Sequence, residues 1–360
     1  MNIYRFKTST EYNRSMLRFY NDDPLFKNNK SGIFNIVCNP KGIYYANSIQ
    51  YMLGVENEGN IVCQCVLLKH NAYDALMVAF FEAKEHAVDA VSFMLSVAKK
   101  YGKTLGCSKL IISLDGHCNY SVGFIRNTEK KYPLFGESYN PIFYHNFFEN
   151  YKKVELTSFF DTLDNVQIEV EKLFTIIKNR ATEIEFEFAN FNKHGFENTI
   201  ARYTDICNAA FKNHRYYFYR TYKENIELFK GMRLLFKSFN LIFAKKGKED
   251  IGFILYYPNY NELVSPLKAA SLKTLILFMM NKRKISTIKI EEIAVIPAYQ
   301  STTTILLLFK EALAQIRANY SWINKLVSSW ILDENKKSYD LTSRFAKGHY
   351  KKYIVYEQEL

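Results

Sequence analysis

Glu291-Glu292-Ile293-Ala294-Val295-Ile296-Pro297-Ala298-Tyr299-Gln300-Ser301-Thr302-Thr303-Thr304-Ile305-Leu306 is the stretch that decides how this chain is read. Lys284–Val295 is rich in Ile and Val and reads as a strand. Pro297 has no amide hydrogen for a sheet ladder and ends it. Ser301 to Thr304 then fall where a helix opens, a place that favours hydroxyl side chains because they accept from the free amides of the first turn. The apolar spacing beyond predicts a helix over Thr303–Asn319.

Outward from this junction, Lys325–Ile331 reads as a strand, Lys336–Lys347 as a helix and Tyr350–Glu357 as a last strand. Upstream, Leu241–Lys245 and Asp250–Tyr257 form a hairpin about Lys246-Gly247-Lys248-Glu249. Thr199–Ala210 reads as a helix, and Glu183–Phe188 alternates as a strand does. Leu163–Arg180 carries Val166, Val170, Leu173 and Ile177 at helical spacing and reads as a connecting helix. The first half, after mixed polar segments, shows the same order. Ala46–Leu53 and Ile61–His70 pair across a turn, and Ala75–Phe81 is a continuous apolar run of the kind buried on both faces. Glu85–Tyr101 is a helix with the stripe Val88, Val91, Leu95 and Ala98, stopped at Gly102. Lys109–Leu114 is a strand, and Tyr139–Lys152 a short Pro-started helix. The chain thus reads as an α/β (α+β) protein of two domains, 1–162 and 183–360, joined by 163–182, each a mixed twisted sheet flanked by helices. The repeated order points to a structural duplication.

The 360 residues are about twice an average domain. With 48% apolar and 23% charged residues, general disorder is excluded. No apolar run approaches the ~20 residues of a membrane span. The N-terminus lacks a signal-peptide core, so a cytoplasmic location is expected. Lys plus Arg exceed Asp plus Glu by 48 to 36, which favours anionic partners. A lexicon crowded with Lys, Asn, Ile, Phe and Tyr also raises Lys without any function. The basic clusters are dispersed and carry no recognition motif, so no specific nucleic-acid partner is expected. The six cysteines include no CxxC pair and no His at zinc spacing, so no metal site is expected. Pro266–Met280, followed by Asn281-Lys282-Arg283-Lys284, reads as an apolar helix with a basic end. Packing on the sheet is the plainer reading, and an acyl-chain pocket or interfacial contact the sharper one.

The run from Val295 to Leu306, with Ser328-Ser329-Trp330-Ile331-Leu332-Asp333-Glu334-Asn335 downstream, resembles the GNAT superfamily of N-acetyltransferases. There a strand ending in V-x-P-x-[YF] enters a [RQ]-x-x-G-x-[GA] loop that opens a helix. The resemblance to tandem two-domain bacterial members extends to Phe81-Glu82, Asn119–Phe124, Tyr139–Tyr144 and Tyr350–Leu360. It implies tandem GNAT-like domains, the first without a glycine loop. It further implies an acetyl-CoA or other acyl-CoA cofactor, with Ile293 and Val295 along its pantetheine. Gln300, Ser301, Thr302, Thr303 and Thr304 would lie at its pyrophosphate, where free amides and the helix dipole hold an anion, and Asn335 nearby. Glu291 or Glu292 would be the general base, only one of them facing the cleft by alternation. Asn119, Tyr120, Ser121, Tyr144 and Trp330 would line the acceptor site for a small-molecule amine or peptide. The sequence departs from the pattern at Thr303 and Ile305, which replace small residues, and at Thr342, where many members carry a Tyr acid. The implied function is an acyl-CoA-dependent N-acyltransferase. The alternatives are a degenerate GNAT-like scaffold and an aminoacyl-tRNA-dependent transferase of the peptidoglycan-bridge type.

Overall fold

The computed structural model describes residues 1–21, 23–126, 132–177, 184–265, 268–269, 271–300 and 302–360. In chain order the strands are β1 (Asn2–Arg5), β2 (Ser48–Asn57), β3 (Asn60–His70), β4 (Leu76–Ala83), β5 (Lys109–Ile112), β6 (Phe124–Ile125) and β7 (Lys152–Thr162). They continue with β8 (Glu185–Phe188), β9 (Leu241–Lys246), β10 (Glu249–Pro258), β11 (Thr287–Val295), β12 (Lys325–Ser328), β13 (Ile331–Leu332) and β14 (Gly348–Glu359).

The chain forms two compact units, and neither is one stretch of sequence. The first holds Met1–Leu156, Val264–Ser271 and Lys351–Leu360; the second holds Thr157–Leu263 and Leu272–Tyr350. In the first, β1 to β4 are an antiparallel meander, β5 joins β4 in parallel, and β14 lies antiparallel to β5 with Tyr356 opposite Ile112. In the second, β8 to β11 repeat the meander, β12 joins β11 in parallel, and β7 lies antiparallel to β12 with Thr162 opposite Lys325. The strand order is the same in both, as a duplicated fold gives. The closing strand of the first sheet, β14, however, follows the whole second unit in sequence, and β7, which closes the second sheet, directly precedes that unit's other elements. This corrects the expected division at 162 and 183. Residue alternation cannot reveal it, because a strand's own pattern does not name its partner.

In the first unit, helix Val88–Thr104 buries Val91, Met94, Leu95 and Ala98 against Cys63, Cys65, Leu67 and Val78 of the sheet. In the second, helix Phe196–Ala210 buries Ile200, Tyr203 and Cys207 over β10 and β11. Helix Thr302–Asn319 covers the other face, where Tyr256 lies near Tyr320 and Glu311 while its neighbour Tyr257 points the opposite way. Helices Ser9–Arg18 and Lys30–Val37 lie where the sequence reads as mixed polar segments; Thr8 starts the former by accepting from Glu11 N–H. The expected helix at Tyr139–Lys152 is a 3-10 helix over Ile142–Phe148, and the strand β7 that follows is a correction to the sequence reading. Among the described residues no helix is long and apolar enough to cross a membrane.

Candidate functional site

The site begins with a parting of strands in the second unit. β11 and β12 run together only from Thr287 opposite Lys325 to Ile290 opposite Ser328, closed by Ser329 N–H to Ile290 O at 2.8 Å. β11 then continues to Val295 while β12 stops. Ile296 N–H donates to Ile251 O at 2.9 Å, so Ala294 and Ile296 turn their backbone groups toward β10. Ile293 and Val295 turn theirs toward the side that β12 has left. Beyond Ile290 the two strands part, which leaves a gap in the ladder beside Ile293 and Val295.

A bulge sets what faces this gap. The register of β10 against β11 shifts between Leu255, opposite Glu292, and Tyr256, opposite Ile290, leaving Glu291 as an inserted residue. An inserted residue reverses the strand's alternation beyond it. Glu291 and Glu292 consequently share the face covered by helix Phe196–Ala210, where strict alternation would have parted them. Glu291 Oε2 receives Lys289 Nζ at 2.6 Å and the Tyr257 hydroxyl at 2.5 Å. Lys289 is 2% exposed, so its charge is neutralised inside the protein by this carboxylate. Glu292 Oε2 accepts from the Tyr203 hydroxyl at 2.5 Å, with Cys207 Sγ 3.8 Å from Oε1. Burial, with Cys207 and Glu292 nearby, pushes the Tyr203 phenol well up, so it stays a donor. The rings Tyr203, Phe229, Phe236 and Tyr257 follow one another at 5.0, 5.9 and 5.5 Å and tie the two carboxylate clusters together. Sequence reading missed Lys289, Tyr203, Tyr257 and Cys207. Only Lys289 left a signal: a lone cation between Ile288 and Ile290 on a buried strand demands a partner.

The loop after β11 turns through Pro297–Tyr299. Tyr299 donates to Glu249 Oε2 at 2.9 Å and lies under Lys246 Nζ, which pins the loop to the tip of the β9–β10 hairpin. Gln300 donates through Nε2 to Val295 O at 3.1 Å. It therefore caps one of the carbonyls along the gap. Ser301 lies outside the described residues. Helix Thr302–Asn319 opens at Thr302, with Thr304 buried and Thr303 and Ile305 half-buried. Trp330 follows Ser329 at the end of β12, half-buried, its ring 5.8 Å from His214. Beside it Arg215 pairs with Glu334 at 2.7 Å. Asn335 caps helix Lys336–Phe345 by accepting from Ser338 N–H at 3.4 Å.

The first unit has the same parting, but its own side chains fill it. β4 leaves β5 after Val78, and Phe80 sits at φ +49° where the β3 register shifts. Phe80 N–H donates to Asp115 Oδ1 at 2.6 Å, and Tyr12 OH donates to Phe80 O at 2.7 Å. Tyr144, expected to meet an acceptor, is 0% exposed and donates to Glu82 Oε2 at 2.7 Å, where Tyr20 and Lys30 also converge. Burial pushes the Glu82 carboxyl up and Lys30 pulls it down. Tyr120 is also buried, edge-on to Tyr44. Ser121 Oγ meets Ser138 Oγ at 2.5 Å, and Asn119 Oδ1 accepts from Cys118 at 3.3 Å. Asn119, Tyr120, Ser121 and Tyr144 thus lie in the first unit, in a packed network, whereas Glu291, Glu292, Ile293, Val295 and Gln300 gather in the second.

No protein-family model matches the sequence, and no curated protein matches it. Solved structures do. A tandem GNAT protein from the clavulanic acid biosynthesis pathway superposes over 99% of this chain and 98% of its own, at TM-score 0.54 and 8% identity. The chain has a tandem GNAT fold. A GCN5-related glucosamine N-acetyltransferase region of a fungal multi-domain β-N-acetylglucosaminidase covers 99% of the chain with 38% of its own, at TM-score 0.59 and 10% identity. A GCN5-related N-acetyltransferase from Kribbella flavida covers 99% with 71% of its own, at TM-score 0.50 and 9% identity. In this tandem GNAT fold the parted strands of the second unit are β11 and β12, and those of the first are β4 and β5.

Proposed function

We propose that the protein is an acyl-CoA-dependent N-acyltransferase whose second unit holds the cofactor. The observation that carries the reading is the run of β11 beyond the end of β12, which leaves the backbone edge of Ile293 and Val295 facing a gap. That edge suits the amides of a pantetheine arm. The amides of the first turn at Thr302, Thr303 and Thr304 suit the pyrophosphate. Acyl-CoA, when bound, supplies the activated acyl carbonyl. Glu292, held by Tyr203, would take the proton from the acceptor amine. Glu291, bound to Lys289 and Tyr257, would act as a fixed charge that positions the acceptor. The acceptor is a small-molecule amine or peptide, and no protein nucleophile is needed.

Two observations favour a second reading, a degenerate GNAT scaffold: the Gln300 amide occupies Val295 O, and Ile305 stands where the family pattern has a small residue. Isothermal titration with acetyl-CoA and longer acyl-CoAs separates the two. The transferase reading expects saturable heat below about millimolar ligand, a common range for enzyme substrates. A folded protein that gives none is the scaffold.

A further inference from the structure

Helix Leu272–Asn281 and the turn Lys282–Lys284 carry a bare apolar stripe in the second unit. One side is anchored: Thr274 and Phe278 are buried, with Phe278 edge-on to Tyr260 at 5.3 Å. On the other side Ile276, Met279 and Met280 are 45%, 63% and 76% exposed. Lys273 lies three residues before Ile276, and Arg283 and Lys284 lie three and four beyond Met280, all exposed. The stripe therefore has one cation a helical turn before it and an exposed cationic turn directly after the helix. From Leu263 to Ile290 the sequence contains no Asp or Glu and six Lys or Arg.

We infer that this face docks on the surface of an anionic lipid bilayer. Ile276, Met279 and Met280 enter the acyl boundary, and Lys273, Arg283 and Lys284 meet the headgroups. The charge pattern selects this occupant. A second copy of the chain would set these cations against themselves. A nucleic acid would use the cations and leave the three apolar side chains in water. The inference stands apart from the acyl-CoA reading, since it uses none of the residues along the gap.

Co-sedimentation of the full chain with vesicles tests it. Vesicles of equal phosphatidylglycerol and phosphatidylcholine should carry the protein down, and phosphatidylcholine alone should not. Arg283→Gln and Lys284→Gln should each weaken binding about fivefold. The pair Met279→Gln with Met280→Gln should weaken it at unchanged thermal unfolding. The inference is overturned by no sedimentation with the anionic vesicles, or by sedimentation that the methionine pair leaves untouched. A dimer that the methionine pair dissolves, without vesicle binding, overturns it as well.

Discussion

Glu291 and Glu292 illustrate how two neighbours on one strand take different work. Lys289 is enclosed and needs the Glu291 carboxylate at 2.6 Å, so Glu291→Gln leaves a buried cation short of a charge. That variant should lose roughly 1–3 kcal/mol in urea unfolding, less than a fully enclosed pair because Glu291 keeps some solvent. Glu292→Gln should unfold normally and lower kcat about a hundredfold or more, the range for removal of a general base. If both variants lose only stability, the pair is architecture. A third residue reports on pH. Burial holds the His214 imidazole down at about 4, against the pull of Glu334. An unfolded chain takes up that proton near the ordinary value of 6.5, which the folded one refuses until about 4. Stability from this group is full above about 6.5 and is lost as pH falls to about 4. Urea titrations of His214→Phe should lack that part of the acid loss.

At the scale of elements, the gap beside β11 depends on the bulge at Glu291 and on how its edge is occupied. Gln300→Ala should free Val295 O for a ligand amide and tighten CoA binding by about three- to tenfold, the worth of one hydrogen bond. If Gln300 instead reaches the pyrophosphate, the same variant weakens binding, and calorimetry reads the sign directly. The strand β11, its Pro297 break and the helix beyond were legible in the sequence, because composition and period carry them. The bulge was not. It needs the register of β10, and one inserted residue overturns what alternation predicts for Glu291 and Glu292. Tyr144 misled for a related reason: an aromatic hydroxyl in a sequence looks the same whether it faces a ligand or, as here, a buried Glu82. Asn335 shows the same ambiguity, since its polarity also serves a helix cap.

At the scale of the molecule, the two units share one strand order, in line with the repeated order of elements in the sequence, and the first completes its sheet with a strand that follows the whole second unit in the chain. Tyr356 of β14 is fully buried and packs its ring on Phe148 at 5.1 Å. A chain cut after Tyr350 should therefore lose the first unit's cooperative transition in calorimetry and expose it to protease, while the second unit keeps its own. The reversed result, a first unit that melts unchanged, would contradict the exchange. Gly123 gives a gentler probe, since at φ +79° an added Cβ would meet Tyr353 Cβ at 2.7 Å. Gly123→Ala should loosen β14 without removing it. The borrowed strand also bears on synthesis. A ribosome making this polypeptide delivers nearly all of the first unit early, yet the piece that seals that sheet, Lys351–Leu360, is translated only after the whole of the second unit. The nascent first unit must therefore wait with an open edge, and the order of manufacture is not the order of completion.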